Sequence, residues 1–253
     1  MSASHGHPEN SMNTDFSVCL EENLKEMPIC LNEWQLGQFA QFYEDLIEKN
    51  KVMNLTAITE QNEVIDKHII DSLSIIRIVP DIGEKSRKII DLGTGAGFPG
   101  IPMAIAWPNL NLLLADSQNK KINFIRQEAE KLGLKNLTAE HGRAEDFGQS
   151  PLYREKFDIC VSRAVANLST LSEYCLPFIH QKGWFIPYKS GMVDTELKDS
   201  EKAVRLLGGS IKKTVRFQLP SGSGERTLIL IEKTGITPRQ YPRKAGTPQK
   251  APL

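Results

Sequence analysis

The sequence predicts an α/β fold: a doubly wound, mostly parallel seven-stranded sheet that ends in an antiparallel hairpin and carries an N-terminal helical extension. Three observations predict it. Short apolar runs alternate with longer segments of helical periodicity between residues 87 and 207, the pattern of a parallel sheet covered on both faces. The first of those runs opens onto a glycine-dense stretch, Asp91-Leu92-Gly93-Thr94-Gly95-Ala96-Gly97-Phe98-Pro99-Gly100. Finally, Ser210 to Leu219 and Arg226 to Glu232 read as strands joined only by Pro220-Ser221-Gly222-Ser223-Gly224. That link is too short for a helical crossover, so these two strands must be antiparallel and lie at the sheet edge.

Taken in order, residues 1–30 are acidic and poorly periodic, and the first fifteen or so are expected to be disordered. Residues 31–80 form N-terminal helices. Asn32 is a plausible N-cap, followed by Trp34, Phe39, Phe42, Tyr43, Leu46 and Ile47 near 3.6-residue spacing, which reads as a core stripe. A second helix covers about Glu60 to Val79, with Val64, Ile65, His68, Ile69 and Leu73 on one face. Residues 81–235 hold the sheet: strands at 87–91, 110–115, 136–140, 156–161 and 183–188, with helices at 100–107, 119–132, 167–180 and 195–207. The remainder, 236–253, is proline-punctuated and basic, and is expected to run extended over the surface.

Charge balances overall, with Lys plus Arg and Asp plus Glu at 31 each, but it is not evenly spread. Residues 1–50 carry nine acids against two bases, a net of −7, whereas residues 202–253 carry eleven bases against two acids, a net of +9. A basic segment of this kind suits a polyanion, and Tyr241 among Arg239, Arg243 and Lys244 suits RNA in particular. The four cysteines have no metal-ligand spacing, so no metal is expected. The first residues lack the basic and apolar regions of a signal peptide, and no apolar run reaches membrane-spanning length, so a cytoplasmic location is expected.

Ligands of open α/β sheets bind outside the carboxyl ends of the strands. Gly93-x-Gly95-x-Gly97 has the spacing of S-adenosylmethionine sites, while Gly95-x-Gly97-x-x-Gly100 matches a dinucleotide fingerprint. Asp116 ends the second strand, 25 residues after Asp91, where a carboxylate would accept from both ribose hydroxyls of an adenosine. The third strand leads into Gly142-Arg143-Ala144-Glu145-Asp146, whose backbone could read an adenine edge. The fourth ends at Ser162-Arg163-Ala164 and the fifth at Tyr188-Lys189-Ser190-Gly191. An NAD-dependent oxidoreductase would use many of the same groups. Against it stand the terminal hairpin and the lack of a second domain for a hydride acceptor. A non-catalytic RNA-binding protein is the other alternative, and the intact strand ends weigh against that.

The combination is more specific than any one motif. Asn54-Leu55-Thr56-Ala57-Ile58, His68 with Asp71-Ser72-Leu73, the stretch Asp91 to Pro102, Asp116-Ser117, Lys120-Lys121, Phe157-Asp158, Ser162-Arg163-Ala164, Lys189 and Tyr241-Pro242-Arg243-Lys244 together resemble the bacterial ribosomal RNA small subunit methyltransferase G family, also called glucose-inhibited division protein B. The resemblance covers about residue 31 to the C-terminus. It implies a class I methyltransferase fold and an enzyme that makes N7-methylguanosine in 16S rRNA from S-adenosylmethionine. By motif position it implies that Gly93, Phe98, Ala144, Glu145 and Arg163 touch the cofactor; Asp91, Gly95, Gly97 and Asp116 join them from the residue reading. Lys189, Arg239, Arg243 and Lys244 are the expected RNA contacts, 16S rRNA or the small subunit the partner, and a monomer the expected state. The sequence departs from the family pattern in its acidic first thirty residues and at Lys189-Ser190-Gly191, where the family has Lys-Gly. No acid or base catalyst is expected, because guanine N7 offers an in-plane lone pair and carries no proton.

Overall fold

The computed structural model describes residues 8–163 and 166–253, with side chains from residue 15 onward. His5, His7 and Ala164 lie outside the described residues. Among those described, seven strands form one sheet in the order β3-β2-β1-β4-β5-β7-β6. They are β1 (Lys88–Leu92), β2 (Asn111–Asp116), β3 (Leu137–His141), β4 (Phe157–Ser162), β5 (Ile179–Ser190), β6 (Gly209–Gln218) and β7 (Glu225–Lys233). The first five are parallel, with β1 and β4 side by side at the point where the order reverses. β7 enters antiparallel between β5 and β6, so the expected terminal hairpin is present.

Strand pleat divides the core in two. Ile89, Leu112, Leu114, Ile159, Val161 and Ile186 face one side, and Ile90, Leu113, Cys160 and Phe185 face the other. Successive side chains of a strand point to opposite faces, so buried strands must be apolar throughout. The first face is covered by α1 (Pro8–Leu24), α2 (Glu33–Met53), the helical stretch 61–77 with α3 (Gln61–Val64) and α4 (Asp71–Leu73), α5 (Gly100–Ala106) and α6 (Asn119–Lys131). The second is covered by the short α7 (Ala144–Gln149) at its rim, α8 (Leu168–Cys175) and α9 (Asp194–Leu206).

Several expectations need correction. The acidic extension is not disordered where it is described: α1 begins at Pro8 and buries Phe16, Leu20 and Leu24. Those three residues are spaced by four, so they share one face, and Phe16 stacks on Tyr43 at 5.2 Å. Asn32 caps α2 as expected and forms a capping box with Gln35. Trp34, however, is 71% exposed and does not belong to the core stripe, which runs through Leu36, Phe39, Phe42 and Leu46. The second helix is not regular. α3 passes through a π-helical turn, Ile65–Ile70, into α4 and a 3-10 turn, Ser74–Arg77.

The helix expected at 167–180 stops at Cys175, and a 3-10 turn at Leu176–Phe178 leads straight into β5 at Ile179. Ile179 pairs with Phe157 on β4, and that strand pairing overrides the apolar run's helical reading. The tail is not simply extended either, since Thr247–Lys250 forms the short α10 and Tyr241 and Pro248 are buried.

Candidate active site

The site is assembled at the carboxyl ends of β1 to β5. After β1 the chain turns through Gly93 and Gly95, whose φ values of 71° and 62° lie in the left-handed region that favours glycine. The backbone N–H groups of Gly93 and Thr94 both donate to Ala115 O, at 2.9 and 3.3 Å, which ties the turn to β2. A Cβ on Gly95 would meet nothing within 4 Å, so that glycine opens onto free space. Gly97 and Gly100 serve packing instead: a Cβ would come within 2.4 Å of Ile101 and 2.6 Å of Leu114. Neither lines the cavity: Gly97 makes room for the first turn of α5, and Gly100 lets α5 approach β2.

The two carboxylates divide in the same way. Asp91 is fully buried, and its Oδ2 accepts from Thr94 Oγ1 at 2.7 Å and Gly100 N–H at 3.0 Å. Burial pushes its pKa up to about 7, opposed by those hydrogen bonds. It holds the turn from behind and does not line the cavity. Asp116 does line the cavity: Oδ2 accepts from Gly95 N–H at 3.0 Å and Oδ1 from Gln118 N–H at 2.8 Å. Each oxygen keeps a further lone pair for a ligand hydroxyl.

That cavity, about 300 Å³, runs from Gly93 and Asp116 past Gly142, Ala144 and Glu145 to Leu171 on α8. The expected loop at 142–146 becomes α7 from Ala144 onward, with Ala144 and Glu145 in its first turn. Glu145 Oε1 accepts from Gly246 N–H at 2.8 Å, so the C-terminal tail reaches the same cavity. Gly246 and Gln249 belong to its wall.

A second cavity of about 570 Å³ adjoins the first, and Ala166 borders both. It is walled by His68, Asp71, Arg163, Lys189 and Arg226. Arg163 Nη1 donates to Asp71 Oδ2 at 3.2 Å and to Lys67 O at 3.1 Å, while Nη2 lies 3.3 Å from His68 Nδ1. The same Nδ1 lies 3.2 Å from Lys67 O, and His68 Nε2 lies 2.8 Å from Thr56 Oγ1, so both ring nitrogens are engaged. Burial, helped by Arg163, pushes the His68 pKa down to about 3, and the ring is neutral. Arg226 Nε lies 3.4 Å from the other Asp71 oxygen, so two guanidiniums flank one buried carboxylate.

Phe98 lies beneath this network and lines neither cavity. His68 stacks on it at 4.6 Å, and the Arg163 guanidinium carbon is 5.1 Å from its ring centre. Arg163 likewise borders the second cavity, not the first. The contact implied for Phe98 thus becomes a supporting one.

The expected RNA contacts are scattered. Lys189 Nζ is held at 2.6 Å by both Ala166 O and Glu196 Oε1, at the edge of the second cavity. Arg243 grips the fully buried Glu173 with Nε and Nη2. Only Arg239 and Lys244 stand exposed. Sequence reasoning missed Arg226 and Glu173. Arg226 opens a strand where an arginine is unremarkable, but Glu173 left a signal, a lone acid within the apolar segment Leu168–Cys175.

A parallel sheet with an antiparallel strand between its fifth and sixth, a glycine turn after β1 and a carboxylate ending β2 is the class I methyltransferase fold. Solved structures share the architecture at low identity. A mutant form of MtNAS superposes with a TM-score of 0.53 at 14% identity, covering 89% of this chain and 78% of that one. The YcgJ protein from Bacillus subtilis gives 0.50 at 13%, covering 66% and 100%. The chain itself belongs to the rRNA small subunit methyltransferase G (GidB) family, whose model matches residues 35–228. The Ribosomal RNA small subunit methyltransferase G of Lachnoclostridium phytofermentans is 51% identical over 92% of this chain and 95% of its own. That of Desulforamulus reducens is 47% identical over 94% and 99%.

Proposed function

We propose that this protein, acting as a cytoplasmic monomer, methylates N7 of a guanine in 16S ribosomal RNA with S-adenosylmethionine. The observation that carries the reading is the pair of cavities joined at Ala166, one suited to an adenosine and the other cationic and open. The residues fit the cofactor. Gly95 leaves free space beside bare backbone, Asp116 retains acceptor capacity for a ribose diol, and Leu92, Ala115 and Leu171 offer apolar surface to a purine. Gly93, Asp116, Ala144 and Glu145 would hold it.

S-adenosylmethionine supplies a methyl group already activated on a sulfonium. Guanine N7 would take that methyl with its in-plane lone pair, and the electrons of the methyl–sulfur bond would remain with the departing sulfur. No proton moves, so the chain needs no general base, and His68 is suited to a structural part with both ring nitrogens engaged. Orienting the two reactants in line is worth on the order of 7–11 kcal/mol. The product guanine is cationic. A guanidinium on N7 would oppose that charge, and Arg163 is already directed to Asp71, Lys67 O and His68. Its role is to shape the base side of the site or to meet a phosphate or guanine O6.

Methyl transfer from radiolabelled cofactor to naked 16S RNA and to small subunits, followed by chemical cleavage at N7-methylguanine, tests the reading. Label at a guanine N7 is the expected result, and label elsewhere or none overturns it. Thermal shifts separate the oxidoreductase alternative, since a ligand at 100 times its dissociation constant adds about 2.7 kcal/mol. S-adenosylhomocysteine should stabilise the protein and NAD should not.

A further inference from the structure

The C-terminal segment from Arg243 to Lys250 crosses from α7 to α8, the two helical walls of the first cavity. At one wall Gly246 N–H donates to Glu145 Oε1 at 2.8 Å. At the other, Glu173 receives three separate groups of Arg243. The backbone N–H reaches Oε1 at 2.8 Å, Nε reaches Oε1 at 2.9 Å, and Nη2 reaches Oε2 at 2.6 Å. Farther along, Thr170 Oγ1 donates to Pro248 O at 3.0 Å, and Thr170 is itself a cavity residue. The segment is therefore a strap, fastened on both sides of the cavity it spans.

The fastening is stronger than a surface contact. Glu173 is fully buried, and without Arg243 its carboxylate would be a buried, unpaired charge. A two-point grip of this kind also fixes direction, because guanidinium and carboxylate are both planar. Gly246 sits three residues on with φ at 79°, a conformation that directs its N–H at Glu145. Glu145 gives one oxygen to the strap and so has a fixed side chain at the cavity wall.

We infer that the strap is part of the cofactor-binding apparatus, with Arg243 and Gly246 as positioning residues that hold Glu145 and close the cavity, and that Arg243 is not an RNA contact. This rests on the reading of that cavity as the S-adenosylmethionine site. The inference assigns to cofactor affinity a residue whose sequence context points to RNA.

The test is calorimetric titration of the full-length protein with S-adenosylhomocysteine, paired with steady-state methylation at varied cofactor. Arg243→Ala and Gly246→Val should each weaken binding by about tenfold or more, raising KM for the cofactor while leaving kcat at saturating cofactor within about twofold. Arg243→Lys should fall between them and the wild type, since an ammonium keeps charge without the planar grip. Lys202→Ala, exposed on α9 and away from both cavities, is the control with unchanged affinity. A merely structural strap would lower the melting temperature and leave affinity and KM where they were. Should Arg243→Ala fail to fold, Gly246→Val decides alone, because a Cβ there meets no protein atom within 4 Å and the left-handed φ strains the strap's own backbone. Wild-type affinity in a folded Arg243→Ala or Gly246→Val overturns the inference. Failure of the wild type itself to bind overturns the cofactor reading, and the inference with it.

Discussion

The two cavities that meet at Ala166 are built by different means. The first is made chiefly of backbone turns at successive strand ends, at Gly93, Asp116 and Ala144, each set by the few residues around it. The second is made of long side chains from four remote elements, held by ion pairs. Asp71 comes from α4, Arg163 from the end of β4, Lys189 from β5 and Arg226 from β7. A local turn can be recognised as a motif, whereas a network such as Arg163 and Arg226 on Asp71, joining sheet, hairpin and helix, is set only by the fold. The first cavity is suited to a fixed small ligand and the second to a partner whose charge must be met.

The most severe way to break that contrast is to disturb the turn beside the first cavity, where Gly95 N–H holds the lining residue Asp116. Gly95→Val should weaken S-adenosylhomocysteine binding by more than about a hundredfold. The fold should survive, because a Cβ there touches no protein atom, although the left-handed φ costs roughly 1–2 kcal/mol. Calorimetry on the folded variant checks it, and unchanged affinity would remove the glycine turn from the site.

Arg163 tests which cavity a shared border residue serves. Arg163→Lys keeps the charge but loses the planar span between Asp71, Lys67 O and His68, and single-turnover methylation should slow about a hundredfold. Cofactor affinity should hold. If affinity drops in step with rate, Arg163 belongs to the first cavity. Asp116→Ala should do the converse, costing about 1–3 kcal/mol of cofactor binding through lost charge-assisted hydrogen bonds.

The second cavity should also carry its own pH signature. His68 has a folded pKa of about 3 against an ordinary 6.5, so between those values the unfolded chain binds the extra proton. Stability from this residue is full above pH 6.5 and is lost as pH falls towards 3. Denaturant melts of wild type and His68→Gln should therefore converge on acidification by roughly 1–3 kcal/mol. A constant gap would mean that His68 does not titrate between the two states. The smallest effect is expected from Arg239→Ala with Lys244→Ala. RNA binding should lose about 1–2 units of its logarithmic salt slope, with no change at either cavity.

The strands were legible because buried parallel strands are mostly apolar and run into polar or glycine turns: β1, β2 and β4 fall within a residue or two of their expected bounds. Gly93, Asp116 and Ala144, read at the strand ends, all line the first cavity. What the sequence concealed was tertiary choice. Leu176 to Phe178 are apolar, but Pro177 has no N–H to continue the helix and Ile179 pairs with Phe157, so the helix ends there. Three buried residues in an acidic segment were too narrow a stripe to reveal α1. Asp91, Gly97 and Phe98 carry the right residue types but face inward, and spacing along the chain does not tell a ligand contact from the group behind it. In the tail, Arg243 and Lys244 are neighbours in sequence, yet one is anchored on a buried acid and the other is exposed to solvent.

The placement of β7 has a consequence for synthesis. It pairs with β5 on one side and β6 on the other, although both precede it in the chain. While a ribosome is still adding residues 191–224, β5 has a bare edge and β6 has no neighbour to join. Unpaired edges are where nascent chains stick to one another. The sheet then gains two ladders in one late step, when Glu225 to Lys233 emerge. A chain interrupted before residue 225 loses both β6 and β7 from the sheet, and leaves β5 open to any strand that arrives first.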